Sequence, residues 1–146
     1  MIPMKKALFH ALALCLAVSA YAAGPKIPSE VELKAMTLES LLDFNKSVQA
    51  EDFTVLYDSI SKVWQDQTSP EKLKGLFKTF VDKEIDISPI KKVEPVFNKP
   101  AEIDSDDVLV VSGYYPTTPK RVVFRLKYLF EKSDWKLIAI KLDIED

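Results

Sequence analysis

The sequence predicts an α+β fold, in which three N-terminal helices pack on one side of a curved antiparallel sheet. Between residues 38 and 81 apolar side chains recur at helical spacing, whereas between residues 108 and 144 they alternate with polar ones. Pro89, Pro95 and Pro100 separate the two regions and exclude both a long helix and a central strand between them. Helices followed by an antiparallel meander form one α+β domain, which we place at residues 37–146.

Residues 1–22 have the order of features found in a secretory signal peptide. Lys5 and Lys6 precede an apolar run at residues 7–20 that is too short to span a bilayer comfortably, and small residues favour cleavage after Ala22. We therefore expect an exported, periplasmic protein without a membrane segment after cleavage. Two alternatives are disfavoured: an uncleaved anchor, because the run ends in small residues, and lipid attachment at Cys15, because this cysteine lies inside the run.

Cleavage at this site removes the side chains on which many catalytic and metal sites depend. Cys15 is the only cysteine and His10 the only histidine. The mature chain then has no disulfide, no cysteine nucleophile, no serine–histidine–aspartate triad and no ordinary zinc site. Loss of two lysines changes the net charge from −2 to −4, which disfavours nucleic acid as a partner. With only three glycines we expect no phosphate-binding loop, and we predict no cofactor and no metal.

The first helix follows a leader, and the segment at residues 23–36 contains both the leader and the start of this helix. Ser29 and Glu32 have capping-box spacing, while Thr37 is an alternative cap for a later start. The apolar stripe that follows is interrupted by Asn45, which we interpret as an amide at the core edge with a backbone partner rather than a ligand contact. The stripe consists of Leu38, Leu41, Leu42, Asn45 and Val48.

Two more helices are predicted, one capped by Asp52 and one starting with Ser69, Pro70 and Glu71. Tyr57 belongs to the buried stripe of the second helix, where a core tyrosine with a bonded hydroxyl is favoured. The second stripe is Phe53, Leu56, Tyr57, Ile60 and Trp64, and the third is Leu73, Leu76, Phe77, Phe80 and Val81. Strands are then predicted around residues 93–97, at 101–105 and at 108–115, with turns at 106–107 and 116–119.

The last 26 residues hold the clearest β-hairpin. One arm has the apolar row Val122, Phe124, Leu126, Tyr128 and Phe130, and the other has Ile138, Ile140, Leu142 and Ile144. Because a slip of one residue moves every side chain to the other face, the two rows fix the register. A three-residue loop at residues 132–134 is predicted to pair Tyr128 with Ile138, Leu126 with Ile140 and Phe124 with Leu142.

The opposite face of this hairpin is predicted to be basic at one end and apolar near the turn. Its basic residues are Arg121, Arg125, Lys127 and Lys141, and its apolar residues are Leu129, Trp135 and Leu137. The basic cluster is a candidate site for an anionic ligand or an acidic partner, although cations on a solvated strand face also simply prevent aggregation. The apolar group is a candidate interface between two copies of the chain.

Three stretches of the sequence carry a likeness to a known superfamily. They are FNKSVQAEDFTVLYDSIS at residues 44–61, the helix SPEKLKGLFKTF, and the closing strands VVFRLKYLF and WKLIAIKL. Together they resemble the NTF2-like, or cystatin-like, superfamily over the whole mature chain. The resemblance implies a cone-like fold whose sheet curls around a pocket covered by helices, often with dimerisation through the outer sheet face. Because the superfamily contains isomerases, dehydratases, transport factors and scaffolds, the resemblance does not choose among functions.

The leading hypothesis is an exported, non-catalytic binding or accessory domain that uses an apolar pocket or its outer sheet face. The expected partners are a small apolar or anionic ligand, another protein or a second copy of the chain. The pocket is predicted to be lined by Asn45, Tyr57, Phe80, Phe124 and Tyr128.

Two other functions stay open at this point. The ketosteroid isomerase branch of the superfamily implies a buried aspartate as base with a tyrosine and a protonated acid as hydrogen-bond donors. A catalytic carboxylate should interrupt a buried apolar row, because burial is what raises its pKa. None of the predicted apolar rows contains an Asp or Glu, so the base is missing. The other alternative is a structural homodimer built on Leu129, Trp135 and Leu137.

Overall fold

A computed structural model describes residues 24–146, and within that range the chain is α+β, as predicted, with its helices first and its strands last. The helices are α1 (Glu30–Ala50), α2 (Thr54–Ser59), α3 (Lys62–Gln65), α4 (Pro70–Leu76) and α5 (Lys78–Asp82), followed by a 3₁₀ helix (Ser88–Lys92). The strands are β1 (Val96–Phe97), β2 (Glu102–Ile103), β3 (Val108–Tyr115), β4 (Arg121–Glu131) and β5 (Asp134–Glu145). The predicted signal peptide, including His10 and Cys15, lies outside the described residues.

The strands form one open antiparallel sheet in the order β1-β3-β4-β5, and β2 also pairs with β3. Both two-residue strands lie along the same edge of β3, with Val96 opposite Tyr114 and Glu102 opposite Val110. The opposite edge is β5, which pairs with β4 over its whole length. The long hairpin therefore forms the centre and one edge of the sheet.

The first helix begins at the predicted capping box. The Ser29 N–H donates to the Glu32 carboxylate at 2.7 Å, and the Glu32 N–H donates to the Ser29 hydroxyl at 3.3 Å. Thr37 is not a cap, because it is fully buried inside α1 and its hydroxyl donates to the Leu33 carbonyl at 2.7 Å. None of the helices within residues 24–146, including this one of 21 residues, is both long and apolar enough to cross a bilayer.

The second and third predicted helices are each broken in two. Ile60 and Ser61 adopt extended geometry between α2 and α3, where Ile60 bridges to Leu137 and the Ser61 N–H donates to the Leu137 carbonyl at 2.8 Å. This pairing with the sheet replaces the helical turn that the apolar spacing predicts. The third helix breaks at Phe77, where the backbone leaves helical geometry with φ −103° and ψ 22°. Leu76, the last residue of α4, was predicted to be buried but is 66% exposed.

The hairpin register is confirmed over most of its length. Phe124 lies opposite Leu142 and Leu126 opposite Ile140, as predicted. The predicted pairing of Tyr128 with Ile138 is wrong, because Tyr128 lies opposite Leu137. The turn contains two residues rather than three, and both, at positions 132 and 133, have positive φ, which suits the twist of a tight hairpin. The register shifts between Lys127 and Tyr128, where Ile138 of β5 has no partner on β4. This bulge compensates for the shorter turn, so the predicted pairing is restored beyond it.

Candidate functional site

The five side chains predicted to line an apolar pocket do not share a cavity. Phe124 and Tyr128 are 2% exposed and belong to the packed core, with Phe124 contacting the rings of Phe97 and Tyr115. Phe80 packs edge-on against Phe44, with 5.2 Å between ring centroids. None of five cavities described among residues 24–146 is lined by more than one of the predicted residues. The aromatic side chains predicted to line a pocket therefore pack within the core or against it.

Asn45 and Tyr57 both have hydrogen-bond partners within the chain. The Asn45 side-chain oxygen accepts from the Ile87 N–H at 2.9 Å, and its NH₂ group donates to the Asp86 carboxylate at 3.0 Å. This backbone partner confirms the interpretation of Asn45 as an amide at the core edge, and it ties α1 to the segment before the 3₁₀ helix. The Tyr57 hydroxyl donates to the Gln65 carbonyl at 3.4 Å, and the Gln65 amide donates to the Tyr57 carbonyl at 2.8 Å.

A small polar cavity that sequence reasoning missed lies between α1 and the start of β5. Its volume is about 110 Å³, and its lining includes Ser40, Asp43, Ser59 and Tyr128. The Tyr128 hydroxyl lies 2.8 Å from the Ser40 hydroxyl and also donates to the Met36 carbonyl at 3.3 Å. Burial raises the pKa of the Asp43 carboxyl, while a hydrogen bond with Ser59 opposes the rise. This is the perturbed acid that the isomerase alternative needs.

Asp43 was missed because it lies beside the apolar stripe of α1 and interrupts no buried row. The only signal in the sequence is its spacing of three residues from Ser40, which places both polar side chains on one shoulder of the helix. Ser59 and Tyr128 come from separate elements, so their approach depends on tertiary packing. At roughly 30 Å³ for each water molecule, the cavity holds only a few waters.

Two buried tyrosines on the core side of the sheet differ in hydrogen bonding, and this difference gives a testable prediction. Burial raises the pKa of both hydroxyls. Tyr128→Phe is expected to cost about 0.5–1.5 kcal/mol, because it removes the bond to Ser40. Tyr115→Phe is expected to cost nothing or to stabilise, because the Tyr115 hydroxyl is buried without a partner among residues 24–146. Urea unfolding measures both, and equal losses would contradict the assignment.

Two of the three residues predicted to form an interface on the outer face, Trp135 and Leu137, do not lie on that face. Because the turn is one residue shorter than predicted, Trp135 and Leu137 lie on the same side of the sheet as Tyr128. Leu137 is 3% exposed and belongs to the core. Trp135 packs against Phe130, which is 41% exposed, with 5.1 Å between ring centroids. Only Leu129, opposite Lys136, remains on the outer face.

The basic residues of the hairpin do meet on the outer face of the sheet. Ser112 on β3, Arg125 on β4 and Lys141 on β5 lie directly opposite one another and form one row across three strands. Lys127 is the next outer residue along β4. Arg121 stands apart from this row, because it forms a salt bridge with Glu145 at 3.0 Å and lies over the ring of Tyr114, 4.9 Å from its centroid.

A groove of about 240 Å³ lies over this row, with Val110 and Val123 in its floor. One wall is the connection between β1 and β2 at residues 98–100, and its polar lining is Asn98, Lys99, Glu102, Ser112, Arg125, Lys141 and Asp143. Within residues 24–146 neither Arg125 nor Lys141 forms a salt bridge, although Glu102 and Asp143 line the same groove. Like charges directly opposite each other on paired strands repel, so the row favours an anion that neutralises them.

Comparisons with protein-family models, with curated proteins and with solved structures find no match for this chain. The described residues contain no group of three or more His, Cys, Asp or Glu side chains placed to hold a metal ion. The chemical assignment of the groove therefore rests on its own geometry and charge.

Proposed function

We propose that this protein is an exported, non-catalytic binding or accessory domain of the NTF2-like type, which holds an anionic group in the groove on the outer face of its sheet. The resemblance of its helices and closing strands to the NTF2-like superfamily supports the assignment of type. The filled core supports the choice of the outer face over an internal pocket. Export follows from the signal-peptide pattern of the first 22 residues.

The observation that carries this proposal is the opposed cation pair of Arg125 and Lys141, neither of which has a salt-bridge partner in the described part of the chain. The planar guanidinium of Arg125 presents a donor fork that matches a carboxylate or a phosphate, and the Lys141 ammonium adds a second positive charge. The Ser112 hydroxyl lies at the third position of the row and offers a further donor. The ligand chemistry is therefore a carboxylate or phosphate group, carried either by a small molecule or by an acidic side chain of a protein partner.

Arg125→Gln and Lys141→Gln together are expected to weaken binding of an acidic ligand at least tenfold, or about 1.4 kcal/mol. The pair is also expected to leave the unfolding free energy unchanged or slightly higher, because it removes a like-charge contact. Titration calorimetry at low salt measures binding of citrate, of inorganic phosphate and of a Glu-rich peptide, and thus separates small ligands from protein partners. Salt should weaken any such binding.

The matched control is Lys127→Gln, which removes one positive charge from the outer face of the same strand but outside the lining of the groove. Binding in this variant should stay within about threefold of the wild type, since a charge roughly 7 Å from Arg125 attracts an anion through water by only about 0.6 kcal/mol. If the wild type binds none of the three probes, or if both variants weaken binding equally, the groove is not the site.

A second candidate function, an isomerase or dehydratase of the ketosteroid isomerase type, is favoured by one observation. Asp43, with its raised pKa, lies in the lining of the same small cavity as Tyr128. This pair supplies one acid and the tyrosine, which are two of the three groups in such a mechanism. A cavity of about 110 Å³ is too small for the whole substrate of such an enzyme, whereas the groove of about 240 Å³ needs to hold only a carboxylate or phosphate group. The binding function therefore takes precedence.

A further inference from the structure

The two edges of the sheet differ sharply in how they are protected. The edge formed by β1 and β2 consists of two-residue strands, with Pro95 before the first and Pro100 between them. Short strands and prolines are the usual means of preventing edge-to-edge pairing. The other edge, β5, has 12 residues and no proline. Only one point of it is covered within residues 24–146, where the Ser61 N–H donates to the Leu137 carbonyl.

Beyond this point, from Ala139 to Glu145, β5 has no backbone partner other than β4 among the described residues. The single bulge of the hairpin lies before this segment, so the free edge is regular. Its core-side residues are only partly buried, namely Ile140, Leu142 and Ile144. Its outer-side residues Lys141 and Asp143 are exposed and carry opposite charges. The free edge therefore combines an apolar row with a short alternating charge pattern.

We propose that a second copy of this chain pairs antiparallel with this edge, around a two-fold axis at Leu142. Leu142 then lies opposite Leu142 of the partner subunit, and Lys141 lies opposite the partner's Asp143. By symmetry the reverse pair forms as well, so the interface contains two salt bridges. On the other face Ile140 meets the partner's Ile144, which extends the apolar row across the axis.

The charges on β5 favour an axis at Leu142 over an axis at any of the adjacent residues. An axis at Lys141 or at Asp143 places two identical charges directly opposite each other, which is destabilising. An axis at Ile144 places Asp143 opposite the partner's Glu145, and an axis at Ile140 leaves Lys141 opposite the partner's Ala139. An axis at Asp143 also sets Lys141 opposite the partner's Glu145, but at the cost of the Asp143 repulsion, so only the axis at Leu142 pairs opposite charges twice without opposing like ones. A second copy is therefore the occupant for which the sequence of this edge is self-complementary.

Pairing along the edge leaves the proposed anion groove accessible, because Arg125 lies one strand inside the sheet. The Lys141 ammonium has three donors and can contact both the partner's Asp143 and an anion beside Arg125. Arg125→Gln separates the two proposals, since it should weaken anion binding and leave the dimer intact. Anion binding and dimer formation can therefore be tested separately, and either proposal can fail while the other holds.

Charge reversal tests the pairing by sedimentation velocity of the purified chain, from about 1 to about 200 µM. The wild type should show a concentration-dependent dimer. Lys141→Asp and Asp143→Lys should each weaken the dimer by roughly tenfold or more, because each opposes like charges twice. The combined swap K141D/D143K restores both pairs and should return the dissociation constant to within about threefold of the wild type. Lys127→Asp, on the neighbouring strand, should change it little.

Disulfide formation tests the register directly, in a Cys15→Ser background so that the engineered residue is the only thiol. Opposed Cα atoms lie about 4.5–5.5 Å apart, within the span of a disulfide, so Leu142→Cys should oxidise to a covalent dimer. Ile144→Cys is the matched control on the same strand and face. The two copies of residue 144 would lie about 13 Å apart and should not cross-link.

Three results would overturn the proposal. A wild type that stays monomeric across the whole concentration range removes the dimer. A dimer that is indifferent to Lys141→Asp and Asp143→Lys forms through another surface. Cross-linking through residue 144 but not through residue 142 shows a different register.

Discussion

Phe44→Ala is expected to reduce the free energy of unfolding by about 3–5 kcal/mol, the usual cost of truncating a fully packed aromatic ring. Phe44 is 1% exposed and lies at the centre of the helical part of the core. Its ring packs edge-on against three other rings, those of Phe53 at 6.4 Å, Phe77 at 4.9 Å and Phe80 at 5.2 Å between centroids. These partners come from two segments, the start of α2 and the start of α5, so one truncation loosens α1 from the rest of the helical layer.

Chemical denaturation with tryptophan fluorescence measures this loss, with Leu76→Ala as the control. Leu76 is a similarly apolar residue in α4, but it is 66% exposed, so its truncation should change stability by no more than about 0.5 kcal/mol. Comparable losses in the two variants would mean that the Phe44 cluster is not packed as described. The control is informative because the apolar spacing of the sequence predicts burial for Leu76 as well.

The helical spacing fails at Leu76 for a physical reason. A stripe of apolar residues predicts which face of an uninterrupted helix is buried, but it does not reveal where the helix breaks. The breaks at Ile60 and Phe77 arise from tertiary contacts, since Ile60 bridges to the sheet and Phe77 stacks on Phe53. Both residues keep their predicted burial while the chain around them leaves the helix.

The sheet was predicted more fully, because a period of two residues and the proline-rich turns define strands locally. β3 has the predicted bounds, and the hairpin pairs Phe124 with Leu142 as expected. The exception is the turn, where Lys132 and Ser133 adopt positive φ without the glycine or asparagine that usually indicates a two-residue turn. Without that signal the bulge was not predictable, and the faces of Trp135 and Leu137 were assigned incorrectly.

In the candidate site, too, the residues on regular strands were predicted and those on irregular connections were not. Arg125 and Lys141 were predicted to share the outer face, because alternation and register alone place them there, and they lie directly opposite each other. The wall of the groove at residues 98–100 was not predicted, since irregular connections carry no periodicity. The cavity beside Asp43 was not predicted either, because its lining comes from separate elements.

Gly113→Ala is expected to destabilise the protein by about 1–3 kcal/mol, the usual cost of forcing extra volume into a packed site. Gly113 is on β3, opposite Phe97 of β1. A Cβ atom at this position would collide with the carbonyl oxygen of Val96 and lie 3.0 Å from the Cα atom of Phe97. Because both obstacles are backbone atoms, they cannot move aside as a flexible side chain would. The substitution should therefore displace β1 from the sheet edge.

Gly75→Ala is the matched control and should change stability in the opposite direction. A Cβ at Gly75 meets nothing within 4 Å, and this residue lies in α4, where alanine is favoured over glycine by about 0.5–1 kcal/mol. The same methyl group is thus expected to destabilise one site and stabilise the other. Urea unfolding gives both signs, and hydrogen exchange of the Val96 and Phe97 amides locates the damage. If the Gly113→Ala variant has the same unfolding free energy as the wild type and its Val96 and Phe97 amides exchange equally slowly, β1 does not approach β3 this closely. In that case the wall of the groove at residues 98–100, which follows β1 directly, would not be held in place by this strand.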